Sequence, residues 1–302
     1  LVSRALYFFY LEEWCPVSYG HGVLGDIGKG EKIYGNNKYR QNIFEFLFDK
    51  IIFGPVRSRR LGVSLGINLL PATKKICNFD CIYCECGWTS GSRAVRALMP
   101  SRMDVRDALE KKLASMKEKN QTPDVITFAG NGEPTLHPDF KGIIDDTIEL
   151  RNKFFPDTKI AVLSNSSTIS KPHVREALLK IDQNILKLDS GFDLTVRIHN
   201  QPKVNVKIAD LIEELKKFNG QLIIQTLFLK GLYKGEIIDN TTPGELDAWL
   251  KAIEMIRPSE VMIYTISRDT PEGGSLQKVP LSELKRIAEK VNRMGIKTQV
   301  SG

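Results

Sequence analysis

The residues of this sequence best suited to chemistry are concentrated in one short loop. Residues 76–86 read ICNFDCIYCEC and hold four of the five cysteines of the chain. The spacing of Cys77, Cys81 and Cys84 is C-x3-C-x2-C, and Cys86 follows two residues later. Thiols gathered in one loop of a large chain make a poor disulfide framework and are typical of metal ligands in a reducing compartment. The sequence therefore predicts a metal site in a cytoplasmic protein.

Two kinds of metal site use thiolates at this density. A structural zinc ion takes four ligands, usually as two C-x2-C pairs, and the short step from Cys84 to Cys86 fits that geometry poorly. Iron–sulfur clusters commonly take cysteines two to four residues apart. A four-iron cluster held by three cysteines leaves one iron open, as catalytic metals generally have an open position. The residues favour the cluster and leave structural zinc as the alternative.

The C-x3-C-x2-C spacing, with Tyr83 just before its last cysteine, resembles the signature of the radical S-adenosylmethionine superfamily over about residues 50–300. The resemblance implies that Cys77, Cys81 and Cys84 bind a [4Fe-4S] cluster and that the fourth cysteine stays off it. It implies that S-adenosylmethionine chelates the open iron and is cleaved reductively. The resulting 5′-deoxyadenosyl radical is then expected to abstract hydrogen from a substrate.

Later loops supply candidate cofactor contacts, because the carboxyl ends of parallel strands meet at one face of a barrel. Residues 129–135 read AGNGEPT and are similar to the Gly-Gly-Glu-Pro stretch of the superfamily, with Asn131 where the first glycine of the pair is usual. Residues 164–166 read SNS and resemble its Ser/Thr-Asn positions. The predicted cofactor-binding residues are Tyr83, Gly130, Asn131, Gly132, Glu133, Pro134, Ser164, Asn165, Lys187, Asp189 and Tyr264.

Some of these candidates have a structural alternative. Lys187 and Asp189 alternate on one predicted strand and point to the same face, so a mutual ion pair and a cofactor or substrate contact both stay open. His137 lies just beyond the Gly-Glu-Pro residues, and we expect it to be a surface histidine.

Three arginines lie just before the first predicted strand, in a stretch without helical spacing. We expect Arg57, Arg59 and Arg60 to line the mouth of the barrel and bind an anionic substrate, since the planar guanidinium suits carboxylate and phosphate groups. Salt bridges that close the open edge of the barrel are the alternative.

Longer tracts narrow the resemblance. Residues 53–71, 187–190 and 264–271 are similar to the tRNA wyosine synthase-like branch of the superfamily. The archaeal synthase carries a second cluster on extra N-terminal cysteines, and only Cys15 lies upstream of Cys77 here. A second three-cysteine cluster is therefore not expected, and the substrate is left open, with tRNA as one candidate.

A regular alternation of elements positions these residues. Short apolar runs predict strands at about 62–70, 125–129, 159–163, 185–188, 221–229 and 261–266, with a short last strand at 296–300. Helical stripes occur between them, for example at Val105, Leu109, Leu113 and Met116. The alternation predicts an α/β fold with a parallel sheet, and periodicity leaves a doubly wound layer and a barrel open. The resemblance implies a partial (β/α)6 barrel over residues 44–302, after an irregular, poorly ordered extension at 1–43.

The net charge and the length of the apolar runs limit the kinds of partner that we expect. The net charge of +7 over 302 residues mildly favours an anionic partner, such as RNA or a phosphorylated metabolite, although solvated lysine faces on helices are the simpler explanation. No apolar run is long enough to span a membrane, so no membrane partner is expected. The superfamily resemblance implies an electron donor such as flavodoxin or ferredoxin.

Two other functions stay open. One is an activase that generates a radical on a partner protein. The other is a non-catalytic zinc-containing RNA-binding protein, in which the three arginines together with Lys74 and Lys75 contact phosphates.

Overall fold

The computed structural model describes residues 47–89, 99–267, 270–271 and 275–302. The irregular extension expected at 1–43 lies outside the described residues and stays a prediction.

The described residues contain ten strands and seven helices. The strands are β1 (Ile52–Ser58), β2 (Gly62–Ile67), β3 (Val125–Phe128), β4 (Lys159–Ser164), β5 (Gln183–Lys187), β6 (Ile223–Tyr233), β7 (Glu236–Asp239), β8 (Glu260–Thr265), β9 (Leu276–Lys278) and β10 (Lys297–Ser301). The helices are α1 (Arg102–Glu118), α2 (Phe140–Phe154), α3 (Pro172–Leu178), α4 (Asp193–His199), α5 (Ile208–Lys216), α6 (Pro243–Ile256) and α7 (Leu281–Asn292). A 3-10 turn spans Pro134–Leu136.

Most strands form one parallel sheet in the order β2, β3, β4, β5, β6, β8 and β10. At one edge β1 pairs antiparallel with β2, and β10 lies at the other end of the strand order. The short β7 and β9 both pair with the long β6. All the strands expected from the sequence are confirmed, and the parallel α/β fold agrees with the partial barrel that the resemblance implies.

The helices pack one apolar stripe each against the outside of the sheet. On α1 the stripe predicted from spacing, Val105, Leu109, Leu113 and Met116, is buried as a set. Side chains at positions three and four apart share a helix face, so this pattern fixes the face that α1 buries. Ser101 and Asp104 form a capping box at its start. Truncating a leucine in such a core to alanine costs about 2–5 kcal/mol.

A second apolar layer fills the interior of the barrel. Val125, Ala161, Ile185, Ile223 and Met262 form it, one residue from each of β3, β4, β5, β6 and β8. Each residue lies in the first half of its strand or at its middle, so the layer closes the amino-terminal side of the interior. The carboxyl-terminal side is left for polar residues.

The sequence did not predict β1, β7 or β9. β1 and β2 form an antiparallel hairpin, whereas the alternation of strands and helices reveals only parallel crossovers. Among the described residues, no helix is both long enough and apolar enough to cross a membrane.

Candidate active site

The cysteine loop follows β2 and is fastened to the loop after β3. The main-chain N–H of Ile76 donates to the carbonyl of Asn131 at 2.8 Å, and the N–H of Glu133 donates to the carbonyl of Ile76 at 3.0 Å. Between these two bonds lies Gly132, whose φ of 135° favours glycine. A Cβ atom on Gly132 would lie 1.9 Å from the Ile76 oxygen, so only glycine lets the two loops meet.

The predicted cluster ligands pack into one apolar cluster. Cys81 is buried, and Cys77 and Cys84 are half-buried against the same apolar cluster, which includes Tyr83 and Leu227. Among the described residues, no set of three or more His, Cys, Asp or Glu side chains is placed to hold a metal ion. Because metal binding is coupled to the ordering of the ligands, we expect the cysteine loop to tighten when a cluster binds.

The pKa values of the cysteine thiols are shifted in different directions. A hydrogen bond from Cys86 lowers the pKa of Cys84 below its ordinary value, against the opposing effect of burial and with help from Lys75. Burial raises the pKa of Cys77 to about 12. Thiolates are the ligand form, so Cys84 is closest to that form before any metal is bound.

Lys75 is a cluster-loop residue whose role the sequence did not indicate. Its side chain is buried, and its Nζ donates to the carbonyl of Gly87 at 2.8 Å and lies 3.4 Å from Asp80. Burial opposes its charge, yet the sulfurs of the neighbouring cysteines raise its pKa above the ordinary value. The expectation that Lys75 contacts RNA phosphates is wrong, because the ammonium faces the protein interior. A buried cation among thiols suits ligands that must be thiolates.

Glu133 joins the loop after β3 to the loop after β4. Its Oε1 accepts from Ser164 Oγ at 2.9 Å and from the N–H of Thr135 at 3.1 Å, and its Oε2 accepts from the N–H of Asn165 at 2.6 Å. Burial raises the pKa of this carboxyl. The side chains of Glu133 and Ser164 are therefore hydrogen-bonded to each other. The cofactor contacts predicted for both residues stay predictions.

The side chain of Asn131 forms hydrogen bonds that the glycine usual at this position could not form. Its Nδ2 donates to the carbonyls of Phe48 at 2.9 Å and Pro71 at 2.8 Å, while its Oδ1 accepts from the N–H of Phe48 at 2.8 Å. The side chain thus fastens the segment before β1 and the start of the cysteine loop. Gly130, at φ 146°, leaves no room for a Cβ because Asn68 Oδ1 would lie 2.4 Å from it. Pro134 begins the buried 3-10 turn.

A buried polar network connects the cysteine loop to β5. The phenol of Tyr83 donates to Asp189, and Lys187 Nζ donates to the phenol oxygen at 2.8 Å. Lys187 and Asp189 form an ion pair at 3.3 Å, which is the structural alternative that the sequence left open. Burial opposes both charges, but each partner offsets it, raising the pKa of Lys187 and lowering that of Asp189.

Two amide side chains lie beside the cysteine sulfurs. Asn200 Nδ2 lies 3.4 Å from Cys81 Sγ and donates to Asp189 at 2.7 Å. Asn165 Nδ2 lies 3.5 Å from Cys77 Sγ and donates to Asn78 at 2.8 Å. Hydrogen bonds to cysteine sulfurs tune iron–sulfur clusters. The sequence missed Asn200, which belongs to no motif that it shows.

The three arginines differ in exposure and in the groups that they contact. Arg57 is exposed on β1, and Arg59 is exposed with hydrogen bonds to the carbonyl of Gly302 at 2.9 Å and to Ser267 Oγ at 2.8 Å. Because β1 and β2 form a hairpin, its turn lies at the amino end of β2, opposite the end that leads to the cysteines. The expectation that all three line the mouth beside the cysteines is therefore wrong. Arg60 alone is half-buried, with its guanidinium carbon 4.5 Å from the centre of the Tyr264 ring.

His137 is also placed differently from the expectation. It is only 3% exposed, with Nε2 2.9 Å from the carbonyl of Pro100 and Nδ1 accepting from the N–H of Asp139. It is a buried structural histidine rather than a surface one.

Comparison with known proteins gives a family. A family model described as the radical SAM superfamily matches residues 73–241. The chain is 33% identical over 225 residues to a protein named GTPase Obg from Brachyspira hyodysenteriae, covering 73% of this chain and 30% of that protein. It is 34% identical over 196 residues to a UPF0026 protein of Methanocaldococcus jannaschii, covering 63% of this chain and 58% of the relative. This chain therefore spans less than two thirds of either relative.

The fold also matches solved structures. The crystal structure of Streptococcus suis SuiB bound to S-adenosylmethionine aligns with a TM-score of 0.54 at 17% identity, over 78% of this chain and 50% of that one. At that identity the likeness concerns the fold alone.

Proposed function

Because this chain belongs to the radical SAM superfamily, we propose that it cleaves S-adenosylmethionine reductively and abstracts hydrogen from an anionic substrate. It is an enzyme of the radical SAM class, and the cofactors of that class are a [4Fe-4S] cluster and S-adenosylmethionine. The observation that supports the proposal best is the packing of Cys77, Cys81 and Cys84 into one apolar cluster, in the loop that follows β2.

The donor atoms of these residues suit the chemistry of the cluster. The three thiols would hold it, Lys75 would offset the negative charge of its thiolates, and Asn200 and Asn165 would donate to two of the sulfurs. When bound and reduced, the cluster would supply the one electron that splits the sulfonium into methionine and a 5′-deoxyadenosyl radical. In this proposal the protein contributes binding, orientation and electrostatics.

We assign the methionine part of the cofactor to the loop from Gly130 to Pro134. The bond between Glu133 and Asn165 fixes this loop against the one after β4, and Gly132 holds it against the cysteine loop. The backbone is therefore rigid where a ligand would meet it, which reduces the entropy lost on binding.

The sequence tracts support a branch of the superfamily, and the net charge supports a class of substrate. We propose that the chain belongs to the wyosine synthase-like branch, since residues 53–71 and 264–271 are similar to it. The net charge of +7 supports an anionic substrate, with tRNA or a phosphorylated metabolite as candidates. We also propose a cytoplasmic location and an electron donor such as flavodoxin or ferredoxin.

Iron analysis tests the cluster assignment. Anaerobically reconstituted protein should hold about four irons. The variants Cys77→Ala, Cys81→Ala and Cys84→Ala should each lose the cluster, whereas Cys86→Ala should retain it. Equal loss in Cys86→Ala, or tightly bound zinc in place of iron, would contradict the assignment.

A further inference from the structure

Two buried polar atoms at the seam of the barrel have no hydrogen-bond partner among the described residues. They are Nη1 of Arg60 and Oε1 of Gln299. One is a charged donor and the other an acceptor. Buried polar groups are nearly always paired, so two orphaned atoms in neighbouring residues need a physical explanation.

The register of the strands places Gln299 inside the barrel. Gln299 on β10 is the register partner of Met262, which belongs to the inner apolar layer. Met262 is in turn the partner of Gln225, and Gln225 is the partner of Lys187. Side chains of register partners share one face of a sheet, so Gln299, Gln225 and Lys187 form a polar band in the interior, in the row that also holds Met262.

Arg60 reaches the same band from the hairpin turn. Gln299 Nε2 donates to the carbonyl of Arg60 at 2.9 Å, which leaves Oε1 of that amide unused. The Arg60 guanidinium lies over the Tyr264 ring, and the Tyr264 hydroxyl lies 3.4 Å from Gln225 Oε1. The charge of Arg60 is therefore directed at the interior of the barrel.

No carboxylate neutralises this charge within the described residues. None of the ion pairs there includes Arg60. Lys187, the other cation of the band, is already paired with Asp189. A buried cationic N–H without a hydrogen-bond partner, as at Nη1 of Arg60, is costly, and the aromatic ring of Tyr264 offsets only part of that cost. A ligand anion at Arg60 would remove it.

We propose that Arg60 binds an oxyanion of the substrate, a carboxylate or a phosphate, inside the barrel. Gln299 Oε1 accepts a hydrogen bond from a hydroxyl or amine next to that oxyanion. This inference rests on the proposed function, because it assigns the substrate group that the barrel holds while hydrogen is abstracted. Of the three arginines predicted to contact the substrate, the proposal retains only Arg60, and it adds Gln299 as a second substrate contact.

Calorimetric titration of the anaerobically reconstituted protein at fixed ionic strength tests the proposal. The probes are inorganic phosphate and glycolate, each an oxyanion with a neighbouring hydroxyl. The probe that binds more tightly shows whether the site prefers a phosphate or a carboxylate. We expect Arg60→Gln to weaken binding by about tenfold or more, since hydrogen bonds to charged groups contribute about 1.5–3 kcal/mol. Gln299→Leu should weaken it less. The matched control Arg57→Gln, on the exposed face of the same hairpin, should bind like wild type.

Every outcome bears on the proposal. Absence of binding of both anions to wild type, or equal binding to wild type and Arg60→Gln, overturns it. If Arg60→Gln does not fold, Arg60→Lys keeps the charge and loses the planar fork, and unchanged binding there together with unchanged binding in Gln299→Leu also overturns it. Iron content and 5′-deoxyadenosine release, measured on the same samples, report on the proposed function separately.

Discussion

The main-chain N–H of Asn165 donates to Oε2 of Glu133 at 2.6 Å, across the gap between the loops after β3 and β4. The same carboxylate accepts from Ser164 and Thr135, so one buried acidic group orders both loops. Asn165 also lies beside Cys77. The geometry around Cys77 in the cysteine loop thus depends on Glu133.

Glu133→Ala should destabilise the protein by about 3 kcal/mol or more, because buried donors left without an acceptor cost about 1–3 kcal/mol each. Urea denaturation of the reconstituted protein measures this. The control Glu236→Ala removes an exposed carboxylate on β7 and should have little effect. Equal stability of Glu133→Ala and wild type would show that the carboxylate does not order these loops.

Gly132→Ala should cost the protein its iron as well as cofactor binding. The added Cβ would collide with the Ile76 carbonyl and separate the loop after β3 from the cysteine loop. The control is Gly244→Ala in α6, where a Cβ meets no atom within 4 Å, and which should fold normally or gain about 1 kcal/mol. Full iron content in Gly132→Ala would mean that the two loops are not coupled.

Asn200→Ala should retain the cluster and shift its reduction potential to more negative values. Removing an N–H donor from a ligand sulfur leaves more negative charge on the cluster, so reduction becomes harder. Potentiometric titration followed by electron paramagnetic resonance measures the shift. Asn205→Ala, at an exposed position, is the control. An unchanged potential in Asn200→Ala would remove Asn200 from the account of the site.

Lys75→Met should lower iron retention, since it removes the buried cation beside the cysteines and its bond to the Gly87 carbonyl. Iron content after gel filtration gives the comparison. Lys111→Met changes an exposed lysine of α1 and should leave iron content unchanged. The role assigned to Lys75 is wrong if its variant retains iron as well as the control does.

The sequence predicted features that depend on local pattern. The α1 stripe from Val105 to Met116 needs only helical periodicity, and the parallel strands need only short apolar runs. The cysteine loop has its own spacing. These features are fixed by neighbours in the chain, so one sequence is enough to find them.

What the sequence could not predict depends on contacts between distant residues. Asn200 lies 119 residues from Cys81, and no motif connects them. Lys75 follows another lysine and is typical of a solvated pair until the folded loop buries it. The sequence did not show that Arg57, Arg59 and Arg60 lie at the amino end of β2, away from the cysteines. The β1–β2 hairpin that puts them there has no signature in the periodicity.

Release of 5′-deoxyadenosine is the decisive test of whether this chain cleaves S-adenosylmethionine reductively. The anaerobically reconstituted and reduced protein is incubated with S-adenosylmethionine, and the products are quantified by chromatography and mass spectrometry. We expect slow release by wild type and by Cys86→Ala even without substrate, and none by Cys77→Ala, Cys81→Ala or Cys84→Ala. Iron-loaded wild type that releases no 5′-deoxyadenosine, or release that persists in any of the three ligand variants, would show that the proposed function is wrong.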